Sequence, residues 1–316
     1  MTTTAKQSRR SHRPWRVLLA LLGVAALVGA ACGDDDADDD ADDAAADGPT
    51  IIVGAQDFPE SQVLAEIYAQ ALQDNDFDAQ VQDVGGFRPI LFEAFDSGDV
   101  NLAPEYLGSE LNFLEEGAAT SDVDESLATL EPLLADRGLA AFEPAQAQNS
   151  NVFVVTRETS EELGLTTLSD LGEHADDLAL GAPPDCEENP FCIPFLQEEY
   201  GVDLSAGFVP LDVGLIPESL AEGAVDVGIF FTTDPPLADE NLVPLEDDRG
   251  AFAAENILPV GSQELVDAYG DDLADVLNAV SAELTTDTLI ELNTRVIVDR
   301  EDADVVAADW LADQDM

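Results

Sequence analysis

This 316-residue sequence is almost without lysine: its one Lys is Lys6, near the start. It has two His, His12 and His174, and three Cys, Cys32, Cys186 and Cys192. A zinc site draws on several Cys or His together, and His174 stands far from any partner of that kind. The same scarcity argues against a nucleophile activated by an imidazole base. No Gly-x-Ser-x-Gly elbow, His-Glu-x-x-His pair or Gly-x-x-x-x-Gly-Lys loop occurs in the chain. The one long apolar run, Val17–Ala31, is too short to span a bilayer as a stable helix. Cations are few: 11 Lys and Arg face 68 Asp and Glu, a formal net charge of −57. That balance excludes a protein that holds nucleic acid through its phosphates, and argues against binding anionic lipid through a basic patch.

What is present begins with an export signal. Lys6, Arg9, Arg10, Arg13 and Arg16 precede the apolar run, and Gly29, Ala30 and Ala31 stand immediately before Cys32. A basic segment, an apolar segment and small residues before a Cys resemble the lipobox of bacterial lipoproteins, in which the Cys is acylated and becomes the first residue. Residues 1–31 are then a signal peptide and Cys32 a lipid anchor. Loss of those five cations leaves six against 68 acids, a formal net charge of −62. Repulsion on this scale weakens a compact state unless salt screens it, which suits a saline exterior. Asp34 to Asp47 is almost wholly Asp and Ala and cannot bury enough surface to fold, so residues 32–49 read as an acidic tether. In an exported chain the remaining Cys186 and Cys192, six apart, form an even pair expected to be disulfide-bonded.

From Thr50 onward the chain alternates strand and helix patterns, which predicts an α/β body with parallel-rich sheets. Thr50–Ala55 reads as a strand, and Asp57-Phe58-Pro59-Glu60 opens a helix with Asp57 as its cap and Pro59 in its first turn. Val63, Leu64, Ile67, Tyr68 and Ala71 share one face of that helix. A polar crossing at Gln146–Asn151 leads into a second run of strands, and Leu242–Pro244 with Glu246–Arg249 reads as the return. The expectation is one lobe from 50–150 and 250–316, and a second from 151–249.

One local pattern occurs in both halves. Phe95-Asp-Ser-Gly98-Asp-Val100 runs on to Tyr106, and Leu220-Ala-Glu-Gly223-Ala-Val225 runs on to Phe231. Each has an apolar residue three before Gly, Val two after it and an aromatic eight after it. A Gly that stops a helix, a buried strand and an aromatic at the strand's carboxyl end describe matching halves of a ligand cleft.

With these come Gly54–Glu60, Glu105-Tyr106-Leu-Gly-Ser109, Leu168-Ser-Asp170, Phe231-Thr-Thr233-Asp234 and Leu292-Asn293. In this order they resemble the substrate-binding proteins of osmoprotectant ABC transporters, from about Ile51 to Leu311. The resemblance implies a type II periplasmic-binding fold with a two-crossover hinge, closing over glycine betaine, choline, carnitine or a like osmolyte. It also implies a monomeric lipoprotein, outside the cytoplasm and held at the cell membrane, that hands its ligand to an ABC permease and through it to the ATPase. No enzyme activity, cofactor or metal is implied. Such proteins cage a trimethylammonium head among aromatic faces. Carried over, Tyr106 and Phe231 are cage walls; Phe58, beside the first helix N-terminus, is a further candidate wall by its place in the sequence. Ser109, Asn149, Asn151, Gln56 and Thr233 are polar neighbours. Arg88, after Gly85-Gly86 at a helix start, is the cation placed to meet a ligand carboxylate. The alternatives are a lipoprotein of the same fold binding a different small zwitterion or amino-acid-like ligand, in transport or in sensing, and a secreted hydrolase.

Overall fold

The computed structural model of the chain describes residues 48–314 and 316. The export signal, Cys32 and nearly all of the acidic tether lie outside them. Ten strands run in chain order: β1 (Ile51–Ala55), β2 (Ala79–Asp83), β3 (Leu102–Tyr106), β4 (Leu139–Ala141), β5 (Asn151–Thr156), β6 (Leu180–Ala182), β7 (Phe208–Pro210), β8 (Val227–Phe231), β9 (Leu242–Pro244) and β10 (Ile257–Ser262). The helices that matter below are α1 (Pro59–Asp74), α2 (Arg88–Ser97), α3 (Leu107–Leu114), α4 (Val123–Ala135), α5 (Arg157–Leu163), α6 (Ile193–Phe195), α7 (Ile216–Ala221), α8 (Gln263–Tyr269), α9 (Asp271–Glu283), α10 (Thr286–Asn293) and α11 (Ala303–Asp313).

The strands form two five-stranded sheets, ordered β2-β1-β3-β10-β4 and β7-β6-β8-β5-β9. Each is parallel on one side, β2-β1-β3 and β7-β6-β8. Each also carries one antiparallel strand, β10 and β5, set between two strands that run the other way. Helix–strand alternation alone points to parallel strands throughout. The exceptions are the two strands entered directly from the other lobe. Parallel strands run toward the inner edge of the lobe, so a chain arriving at that edge runs away from it.

The repeated pattern is an architectural equivalence. Strands β3 and β8 hold the same place in their sheets, and each ends on its aromatic opposite the first residue of the antiparallel strand, Tyr106 with Ile257 and Phe231 with Asn151. The two glycines adopt left-handed φ of 78° at Gly98 and 68° at Gly223, which a side chain would strain. Val100 and Val225 sit buried two residues ahead of β3 and β8.

Helix α1 buries the face expected of it, Val63, Leu64, Ile67, Tyr68 and Ala71, against the first sheet. Each large side chain there contributes about 1.5–3 kcal/mol, more than a typical hydrogen bond of the site. The residue at its N-cap is Phe58, in extended conformation, and no side chain caps the helix. Asp57, expected to do so, falls one residue too early to reach the free N–H groups of the first turn. Leu242–Pro244, read as the return crossing, instead pairs with Val154–Thr156 of β5 as an edge strand. The Glu246 stretch also stays with the second sheet through its bridge to Thr167, and the return lies nearer Asn256, which bridges to Gln148. Cys186 and Cys192 are disulfide-bonded with Cα atoms 5.2 Å apart. Trp310 is buried, Phe252 half-buried and stacked on Phe195, and His174 half-exposed. No helix of the described residues is long and apolar enough to cross a membrane.

Candidate functional site

Tyr106 closes β3 and caps α3, so the sheet edge fixes where its ring stands. The ring is 7% exposed. It lies 6.1 Å from Phe58, which stacks on Phe87 at 6.4 Å. Its hydroxyl donates to Glu60 Oε1 at 2.7 Å. Glu60, in the first turn of α1, also accepts from Asn149 Nδ2 at 2.6 Å and from Asn293 Nδ2 at 2.6 Å. Asn293, at the end of α10, donates in addition to the Thr233 carbonyl at 3.0 Å. One buried carboxylate thus joins the end of β3, the first crossing, α10 and the turn after β8. Burial raises the Tyr106 hydroxyl well above its ordinary value, and the Glu60 charge adds to this. The ring is held as a neutral phenol, locked in orientation by a charge-assisted hydrogen bond.

A second carboxylate organises the other polar candidates. Glu105, fully buried in β3, accepts from Arg88 Nε at 3.0 Å and Nη2 at 2.7 Å, and from the Tyr106 N–H at 3.2 Å. Its other oxygen accepts from Gln56 Nε2 at 3.3 Å. Ser109 gives its N–H and hydroxyl to Glu255, at 3.0 and 2.8 Å. This requires α3 to start hard against the return crossing. A Cβ on Gly108 would stand 2.9 Å from the Ala254 carbonyl, so only glycine fits there. Glu110, one residue past Ser109, is fully buried and neither oxygen has a partner. Burial, with nearby Glu105, raises its carboxyl well above the usual range. Burial likewise raises Glu255.

The structure therefore gathers Gln56, Phe58, Arg88, Tyr106, Ser109, Asn149 and Thr233 around three glutamates. It sets the other two candidates apart. Phe231, 49% exposed, and Asn151 line a pocket of about 120 Å³ with Asn189, Asp234 and the disulfide-bonded Cys186 and Cys192. The Phe231 N–H donates to Asp234 Oδ2 at 2.8 Å, and burial raises that carboxyl. No ring pairing joins Phe231 to Tyr106 among the described residues.

Glu60, Glu105, Asn293 and Asp234 organise the site without having been singled out, although each stands inside a segment that carries the family resemblance. Among 68 acids no single carboxylate stands out by type; burial distinguishes Glu60 and Glu105, and burial is set by tertiary packing. Chemically the cluster offers aromatic faces and negative charge, the setting for an organic cation. No group of His, Cys, Asp and Glu among the described residues is arranged to hold a metal ion.

Two α/β lobes joined by crossing segments, each ending its equivalent strand on an aromatic, define a substrate-binding protein of the two-lobed periplasmic type. Residues 49–313 match the family described as the substrate binding domain of ABC-type glycine betaine transport systems, and the chain belongs to that family. It is 26% identical over 276 residues to the glycine-betaine-binding protein of Pseudomonas aeruginosa, covering 84% of this chain and 88% of that one. It is also 26% identical over 271 residues to the glycine betaine-binding protein YehZ of Escherichia coli, covering 82% and 88%. Among solved structures, a glycine betaine/carnitine/choline ABC transporter protein shares the fold, with a TM-score of 0.77 at 23% identity over 83% of this chain and 98% of that one.

Proposed function

We propose that this protein is an extracytoplasmic lipoprotein, anchored through Cys32, that captures a quaternary-ammonium or small zwitterionic osmolyte and delivers it to an ABC permease. The observation that carries the reading is the fixed Tyr106 ring, matched by Phe231 at the same position of the second lobe. Closure of the lobes would bring the two rings to opposite sides of a trimethylammonium head, with Phe58 beside Tyr106. Gln56, Ser109, Asn149, Asn151 and Thr233 form the polar surround, and the disulfide-bonded loop closes the far wall near Phe231. Binding and release through lobe motion needs no bond to be made or broken, which fits relatives named as transport binding proteins rather than enzymes. A monomer suffices, because both walls belong to one chain.

Calorimetric titration with glycine betaine, choline, carnitine, ectoine and proline tests the reading. At least one quaternary ammonium compound should bind, and Tyr106→Ala should weaken it by roughly tenfold or more, the scale of a desolvated cation–π contact. Binding of none of them, or binding indifferent to both Tyr106→Ala and Phe231→Ala, would overturn it.

A further inference from the structure

The cation that sequence places to receive a ligand carboxylate is already engaged within the protein. Arg88 turns two of its nitrogens onto Glu105 Oε2, at 3.0 and 2.7 Å, and its side chain is only 18% exposed. Among the described residues it is the one cation bonded into the cluster, where Glu60, Glu105 and Glu110 are buried. Four further donors are committed in the same way: the Tyr106 hydroxyl and the amides of Asn149 and Asn293 to Glu60, the Ser109 hydroxyl to Glu255. The carbonyl oxygens of Asn149 and Asn293, the far ends of those same amides, are buried and have no partner. Since both NH2 groups must face Glu60, these orientations are dictated by the network. The buried side-chain atoms left without a partner beside the Tyr106 ring are therefore acceptors. A ligand carboxylate would meet unpaired acceptors there, beside an Arg88 charge already offset by Glu105, and leaving those acceptors unpaired is where discrimination arises.

The geometry points to Glu105 as a specificity-determining residue: by holding Arg88, it turns the site from zwitterions toward organic cations that carry a hydroxyl and no carboxylate. The proposal rests on the reading of Tyr106 as a wall of the binding site and names the charge class of its ligand. A quaternary ammonium presents its charge to the ring and to net negative surroundings, and a hydroxyl supplies the donor that the Asn149 or Asn293 carbonyl lacks. Glycine betaine supplies the first and replaces the second with another acceptor.

The experiment is calorimetry of the purified protein with choline and with glycine betaine, on the wild type, Glu105→Gln and Arg88→Gln, each checked for folding by circular dichroism. The wild type should bind choline more tightly, by about tenfold, the scale of one charge-assisted hydrogen bond. Glu105→Gln frees the guanidinium and should shift the ratio toward glycine betaine by a similar factor. Arg88→Gln should keep the preference for choline. If Glu105→Gln fails to fold, the wild-type ratio and Arg88→Gln decide. Glycine betaine binding as tightly as choline to the wild type, or Arg88→Gln losing glycine betaine selectively, overturns the proposal while leaving the binding site where it is. If neither choline nor glycine betaine binds, the proposal is overturned; the site reading falls with it only if carnitine, ectoine and proline also fail to bind.

Discussion

Replacing Glu110 by methionine should stabilise the protein. Both Glu110 oxygens are buried with no hydrogen-bond partner, and burial with nearby Glu105 pushes the carboxyl upward. An unpaired buried polar group costs about 1–3 kcal/mol relative to its hydrated state. Methionine has similar volume, adapts to irregular space and has no such group to satisfy. The gain of about 1–3 kcal/mol corresponds to roughly 2–6 °C in Tm for a folded body of this size. The pH dependence carries a sign of its own. A carboxyl whose folded value lies above its unfolded value of about 4.3 binds its proton more tightly when folded. Its contribution is fully present below that unfolded value and is lost as pH rises toward the folded one. The difference in Tm between Glu110→Met and wild type should therefore widen as pH rises from 4 and then level off. Differential scanning calorimetry over pH 4–8, with Glu110→Gln as a neutral polar control, measures this. A Tm that falls on Glu110→Met, or a difference that is flat with pH, would refute the reasoning.

Three other perturbations follow from the geometry. Tyr106→Phe leaves Glu60 with its two Asn donors and should lower stability by about 1.5–3 kcal/mol, the worth of a hydrogen bond to a charged group. Because the ring remains, it should hold quaternary ammonium affinity far better than Tyr106→Ala, a contrast that calorimetry of both variants reads directly. The double change Cys186→Ser and Cys192→Ser opens a small loop and should lower the urea-unfolding free energy by about 2 kcal/mol on the chain-entropy account. Tm should rise between 10 mM and 1 M NaCl, where screening shortens from about 30 Å to about 3 Å and relieves the repulsion among 68 acids; a Tm that is unchanged or falls counts against adaptation to salt.

Much of the architecture was legible in local pattern. The apolar spacing of α1 and the Gly-to-aromatic pattern ahead of Tyr106 and Phe231 are local, and both correspond to physical features. The reverse direction of β5 and β10 was not legible, because strand direction depends on where the chain arrives from and leaves no mark on period. Leu242–Pro244 is three residues long and proline-ended, a pattern shared by edge strands and loops; only pairing with β5 separates them. Arg88 was legible as a cation aimed at an anion from a helix start. The anion it meets within the protein is Glu105, and a partner 17 positions away in another element is chosen by packing. The hub role of Glu60 was hidden for the same reason: its donors lie 46, 89 and 233 residues further along the chain.

The placement of β10 also orders events in time. The second sheet draws all its strands from one continuous stretch, Asn151 to Pro244, whereas β4 joins the first sheet only through β10. As the chain is made from its N-terminus, β1 to β4 appear first, yet β4 must wait more than a hundred residues for the neighbour that seats it. The later-made sheet is complete first, and its β5 and β9 are already paired when Ile257–Ser262 arrives to close the earlier one. A nascent chain stopped near residue 250 would carry one finished sheet and one open edge along β3, exposed to pairing with other chains.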